Sequence, residues 1–235
     1  MLNKECYYLM NSNLQKKYGV SGWYPTLADY TFPTTFVKLK DSDMNLLAEK
    51  VTKGDDVKSL VKRIERAQYA FSGGTFVFAD TLSPNDTSRF KTKKGAVHSA
   101  QSAWNNLTLS KKVVSAAVNR EFDCICVRPY RNITYAREFR LFIYNGSLKL
   151  MSQRWLKRHY GRLEGRTKNY WKKAKSFVDS ISWLLPDQTI VMDVYITSSE
   201  KILIIDFNTW GNPTDVLLGS SWDIDWNVEL GIKVL

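Results

Sequence analysis

The residues best suited to chemistry lie between positions 190 and 210, where two apolar, β-branched runs flank the polar tetrad Ser198-Ser199-Glu200-Lys201. That pattern predicts a hairpin with a four-residue loop. Closing the loop sets Thr197 against Ile202, and counting outward sets Asp193 directly against Asp206. Opposed side chains in an antiparallel pair stand about 5 Å apart at Cβ, so two carboxylates there repel unless a cation lies between them. Asn208, two residues beyond Asp206, shares its face. Two carboxylates and an amide oxygen are hard ligands on one rigid surface. That set suits Mg²⁺, which keeps waters and shares phosphate oxygens. The competing reading is a solvated sheet face.

The elements that must hold such a site need a substantial chain, and 235 residues suffice for one large domain or two lobes. A 44% apolar, 13% aromatic composition excludes a disordered chain. No apolar run approaches the roughly 20 residues that span a bilayer, and the first residues lack a secretion-signal pattern. Three cysteines (Cys6, Cys124, Cys126) and two histidines (His98, His159) fall short of a structural zinc set, and Cys124 and Cys126 read as core thiols on a strand. The expected compartment is reducing and cytoplasmic. A net charge of +11 favours a polyanionic partner.

Along the chain, Pro25 and Pro33 are expected to punctuate short extended pieces in an aromatic-rich first segment. Helices are expected from Asp43 and from Asp55, the second burying Val57, Leu60, Val61, Ile64 and Ala67. Gly73-Gly74 ends it, and a strand follows over 75–79. Residues 80–95 read as a loop carrying Arg89, Lys91, Lys93 and Lys94. A helix over 107–118, with Ser110 as candidate cap, precedes a strand over 122–128.

Asn145-Gly146 between two alternating runs predicts a two-residue hairpin. Ideal alternation sends Phe139, Leu141, Ile143, Leu148 and Leu150 to the core, and Glu138, Arg140, Lys149 and Gln153 to the other face. Arg154 then falls on the apolar side and joins Arg140 only if the strand twists or ends there. Residues 154–175 carry nine Lys or Arg against the single Glu164, interleaved with Trp155, His159, Tyr160, Tyr170 and Trp171. Cations that neutralise phosphates and rings that stack on bases make this a candidate nucleic-acid segment. Its expected contacts are Lys157, Arg158, Arg162, Lys172 and Lys173; the alternative is a solvated face whose aromatics dip into the core. An amphipathic helix is expected over 168–185.

A series of landmarks runs in order along the chain: Ser21-Gly22-Trp23-Tyr24-Pro25, Gly73-Gly74, Ser83-Pro84-Asn85-Asp86, Glu138-Phe139-Arg140, Ser152-Gln153-Arg154, Asp193, Ile205-Asp206-Phe207-Asn208, Gly211, Thr214-Asp215 and Ser221-Trp222. Together they resemble the cell division cycle protein 123 (D123-like) family of ATP-grasp proteins. The resemblance implies an α+β, ATP-grasp fold of two lobes with ATP in the cleft between them, divided here as 1–118 and 119–235. It implies Mg²⁺ on Asp193, Asp206 and Asn208, in agreement with the hairpin count. Arg140 and Arg154 would act on the triphosphate, with Arg128 and Glu138 at the nucleotide. The family carries a lysine on the strand after the paired glycines, whereas this chain reads Phe76-Val77-Phe78-Ala79-Asp80. Lys38, Arg89 and Lys91 are therefore the candidates to replace it. The long acidic insertion of eukaryotic members is absent too.

No G-x-x-x-x-G-K-[ST] phosphate loop occurs. The expectation is an ATP- and Mg²⁺-dependent ligase of ATP-grasp type acting on RNA ends, an RNA-binding enzyme. The alternatives are an ATP-binding assembly factor for a translation initiation factor, and a peptide or protein ligase. A protein partner is thus also envisaged, and a membrane is not.

Overall fold

Alternating β-branched and aromatic residues build the first of two sheets in the computed structural model, which describes residues 17–235. Cys6 and the other N-terminal residues read for a secretion signal lie outside the described residues. Strands β1 (Thr35–Lys38), β2 (Thr75–Ala79), β3 (Ala96–Val97) and β4 (Cys124–Pro129) pair antiparallel in the order β1-β4-β2-β3. Val37, Val77, Ala79, Ile125 and Val127 point to one face and join a single apolar core. The helices that cover it are α2 (Asp41–Ala48), α3 (Asp55–Gln68), α5 (Ala100–Leu109) and α6 (Lys111–Val118). In α3 the buried residues are Val57, Leu60 and Ile64, spaced as a 3.6-residue period requires.

Three local expectations change. The single helix expected over 107–118 is two helices, because Ser110 leaves helical geometry and caps α6, its Oγ accepting from the Val113 N–H at 3.3 Å. The polar stretch after Asp80 contains a short helix, α4 (Ser88–Lys93), capped by Thr87. Residues expected to be extended around Pro25 form helix α1 (Val20–Leu27). Its start is held from outside the local sequence: the Asp80 carboxylate accepts from the Ser21 N–H at 2.7 Å and from its hydroxyl at 2.6 Å. That tertiary anchor outweighs the proline.

The chain divides into two units, Met1–Pro25 with Phe32–Asn132 and Thr26–Thr31 with Ile133–Leu235. Because β4 is an interior strand of the first sheet, the first unit runs past the boundary expected after Val118.

In the second unit, β5 (Glu138–Tyr144), β6 (Ser147–Gln153), β7 (Ile190–Ile196), β8 (Ile202–Asn208) and β9 (Gly231–Lys233) form one sheet in the order β8-β7-β5-β6-β9. Only β9 runs parallel to its neighbour. Helix α7 (Thr167–Ile181) packs on the sheet through Tyr170, Ala174, Val178 and Ile181, with Tyr170 edge-on to Phe139. Asn145 and Gly146 turn β5 into β6 with φ of 49° and 71°, the left-handed pair that a two-residue hairpin demands.

Each hairpin contains one bulge. In the first, Ile143 pairs with Leu148 but Phe142 pairs with Leu150, leaving Lys149 as the extra residue. A one-residue shift sends every later side chain of β6 to the opposite face. Leu150 therefore leaves the Phe139 face and packs with Phe142, Val191 and Trp226. Gln153 pairs with Phe139 instead of joining Arg140. In the second hairpin Ile196 pairs with Ile202, one residue off the expected closure, and Thr197 lies in the loop, its N–H donating to the Lys201 carbonyl at 2.9 Å. A bulge at Ile205 restores the count, so Asp193 does face Asp206.

Candidate functional site

Register brings a set of polar side chains onto one face of the second sheet. Arg140 pairs with Asp193 across β5 and β7, and Asp193 pairs with Asp206 across β7 and β8. Asn208 follows on β8, two residues on. The bulge at Lys149 carries Arg154 to the same face, its N–H donating to the Glu138 carbonyl at 3.1 Å just beyond β6. The structure thus decides for Arg154 what alternation left open. At the far end of this face Phe142, Trp210, Trp222 and Trp226 form an aromatic cluster that anchors the chain after β8.

The cation beside the opposed carboxylates is a side chain. Arg140 grips Asp193 bidentately, Nε to Oδ1 at 2.7 Å and Nη2 to Oδ2 at 2.8 Å. Its remaining nitrogen, Nη1, donates to the Asp215 carbonyl at 2.9 Å. Burial alone would pull the guanidinium down; the hydrogen-bonded Asp193 more than reverses this, so Arg140 is held firmly charged. Arg154 Nε lies 3.5 Å from Asp193 Oδ2, and Asn208 Nδ2 donates to the same oxygen at 3.3 Å. Asp206 Oδ1 accepts from the Phe207 N–H at 2.9 Å. Glu138 sits on the same face. Burial pushes its carboxyl up to about 7, against the Trp155 indole and Arg154, which favour its charged form, while Asp193 adds to the rise.

This donor set fits a hard cation. Asp193 already accepts from Arg140 through both oxygens and from Asn208 Nδ2, with Arg154 beside it, so a metal on Asp193 would have to displace the Asn208 and Arg154 donors. Asp206 and the Asn208 amide oxygen supply the remaining oxygen chemistry. Asp215 holds the loop after β8, its carboxylate accepting from the Leu217 N–H at 2.9 Å. Its backbone carbonyl is also an Arg140 partner, which no side-chain pattern could have revealed.

The other expected nucleotide residues belong to the first unit. Arg128 is buried, not lining an open face: its Nε donates to Thr34 Oγ1 at 3.0 Å and its guanidinium lies over Phe78, 5.1 Å from the ring centre. Lys38 ends β1 in an ion pair with Asp123, whose hydrogen bond raises the lysine's pKa. Arg89 and Lys91 are exposed on α4, where Arg89 reaches Ser102 Oγ at 3.0 Å.

The basic segment is less available than its composition suggests. Tyr160 and Tyr170 are buried, and Trp155 packs on Tyr135 at 4.3 Å between ring centres, so these rings are engaged within the fold. Lys173 pairs with Glu200 at 2.6 Å and Lys175 pairs with Glu229, carboxylates that arrive from distant parts of the chain. Lys157, Arg158, Arg162 and Lys172 are exposed. Lys172 and Lys173 border a groove of 490 Å³ floored by Phe177 and Ile202.

The D123 family model matches residues 97–226, more than half of the chain, and spans every member of the Arg140–Asp193 constellation. The chain belongs to the D123 family. It is 32% identical over 108 residues to a translation initiation factor eIF2 assembly protein of Xenopus tropicalis, and 25% identical over 227 residues to a putative CDC123-like protein, L884, of Acanthamoeba polyphaga mimivirus. The first alignment covers 44% of this chain and 32% of the relative, the second 89% and 70%. The structure of Cdc123 from Schizosaccharomyces pombe superposes with a TM-score of 0.73 at 20% identity, covering 89% of this chain and 90% of that one. The α+β fold expected from the D123 landmarks is therefore that of the solved Cdc123 structure.

The expected enzyme does not stand. Relatives in this family are named for assembly of an initiation factor and not for joining substrates, which overturns the reading as an RNA-end ligase. Among the described residues, no helix is long and apolar enough to cross a membrane.

Proposed function

We propose that this D123-family protein binds Mg-ATP on the face of β5, β7 and β8 and acts as an assembly factor for a translation initiation factor. The observation that carries the reading is the match over residues 97–226, which encloses Glu138, Arg140, Arg154, Asp193, Asp206 and Asn208 in one surface. Sequence relatives named as eIF2 assembly proteins support the partner class. Asp193, Asp206 and Asn208 would hold Mg²⁺, which supplies charge compensation for phosphate oxygens when bound. Arg140 fixes Asp193 in place, and Arg154, partly exposed beside it, is a cation on this face that could meet a phosphate.

Calorimetric titration with ATP, with and without Mg²⁺, together with co-purification on isolated eIF2 subunits, tests the reading. ATP binding that requires Mg²⁺, falls at least tenfold in Asp206→Asn and strengthens capture of one subunit is expected. Absence of both ATP binding and capture would overturn the proposal. Capture of RNA in place of every eIF2 subunit would overturn the partner assignment.

A further inference from the structure

The first sheet has a second face, opposite its apolar core, and an unusual group of side chains lies there. Residues 124, 126 and 128 alternate onto it, and the β2–β4 register sets Phe78 against Cys126 and Phe76 against Arg128. One step further the Asp80 N–H donates to the Cys124 carbonyl at 3.2 Å, so Asp80 stands beside Cys124. The two thiol sulfurs and a carboxylate oxygen lie within 4.8 Å of one another, and all three residues are buried.

We propose that Cys124, Cys126 and Asp80 form a binding site for a thiophilic divalent cation of the zinc type, beneath the start of α1. Ligand atoms around tetrahedral zinc stand roughly 3.5–3.8 Å apart, given Zn–S near 2.3 Å and Zn–O near 2.0–2.2 Å. Rotamer adjustments of less than about 1 Å therefore close the present triangle on a metal. A disulfide is not the alternative use of these thiols. Cβ atoms two residues apart on a strand stand roughly 6.5 Å apart, well beyond the 3.5–4.5 Å that an S–S bond spans.

The Cys126 thiol already donates towards Asp80 Oδ1 at 3.6 Å, so a metal takes the place of a proton between the same two atoms. Asp80 accepts from Ser21 through both oxygens, which fixes the carboxylate as an outer hydrogen-bond shell fixes a metal ligand. Charge also balances. Two thiolates and a carboxylate carry three negative charges, and a dication leaves one, matched by Arg128 on the same face. Thiolate ligation releases the thiol protons, so metal binding weakens in acid.

The full chain carrying Cys6→Ser, titrated with Cd²⁺ at neutral pH, reports thiolate ligation through ultraviolet charge-transfer absorbance. One Cd²⁺ per chain with a two-thiolate signal is expected, displaced by Zn²⁺, with affinity reduced about tenfold or more in Cys124→Ser and in Cys126→Ser. A chain that shows no stoichiometric Cd²⁺ absorbance, or a Cys124→Ser/Cys126→Ser double variant that keeps it, overturns the site. Zinc-edge X-ray absorption on the unsubstituted chain needs no variant: two sulfurs near 2.3 Å are expected, and a shell of only nitrogen and oxygen overturns it.

Discussion

At the scale of single residues, the decisive contact is the one between Arg140 and Asp193. Breaking such a buried pair from one side strands a charge, typically at 3–5 kcal/mol. Asp193 is thus a structural acceptor as well as a proposed metal ligand, and its substitution would mix the two roles. Asp206 separates them better, which is why the ATP test uses it. Glu138 yields a prediction of its own. Its folded carboxyl titrates near 7 against an ordinary value of 4.5, so the fold prefers the protonated form. That contribution is full below about pH 4.5 and is lost as pH rises through about 7. Glu138→Gln should therefore flatten this part of the stability profile, leaving the variant about 1–3 kcal/mol more stable than the parent chain at pH 8. Urea unfolding of both proteins from pH 4.5 to 8 checks this; parallel profiles would refute it.

Among the elements, α1 depends most on a partner outside itself. Its proline and its short length argue against an isolated helix, yet Asp80 holds its first turn. Gly19 is the adjoining close approach: an added Cβ would meet Asp80 Oδ2 at 2.4 Å. The carboxylate cannot simply swing aside, because Ser21 holds both its oxygens. Gly19→Ala should lower stability by about 1–3 kcal/mol, the range for overpacking at a close-packed site. Thermal unfolding should show it as a drop in Tm, and an unchanged Tm would mean that Asp80 has more freedom than its contacts imply. The hairpins show the opposite dependence. Asn145-Gly146 encodes its own turn, but the bulges that follow are set by what each strand packs against.

For the whole molecule, the +11 charge acts through its distribution. Lys173 and Lys175 are matched by Glu200 and Glu229, whereas Lys157, Arg158, Arg162 and Lys172 face solvent. Exposed charges steer association and are screened by salt within about 10 Å at 0.1 M. Replacing those four with Ala should slow association with an acidic partner about tenfold at low salt and flatten its salt dependence. Lys173→Ala with Lys175→Ala should change it far less. Stopped-flow or biosensor association rates against eIF2 subunits at two ionic strengths distinguish the sets, and equal effects would refute the distinction.

The sequence by itself determined much of the scaffold. Periodicity placed β2, the start of α3 and the Asn-Gly hairpin within a residue or two, because each is stabilised by contacts close along the chain, whereas α3 ends at Gln68, short of the Gly73-Gly74 expected to stop it. It also opposed Asp193 to Asp206, although by a route that the structure corrects. The loop closes one residue early and the bulge at Ile205 adds one back, and two compensating shifts leave no trace in an alternating pattern. Only the tertiary structure decided the rest. Lys149 bulges out because Leu150 packs with Phe142, Val191 and Trp226, residues far apart in sequence, and that bulge brings Arg154 to the site and turns Gln153 away. Arg128, expected at the nucleotide, is buried by the sheet register with its guanidinium over Phe78. Of the basic residues expected to meet nucleic acid, Lys173 is paired with Glu200, distant along the chain, while Lys157, Arg158, Arg162 and Lys172 stay exposed. Composition records which charges a chain carries; only packing decides which of them meet each other and which meet water.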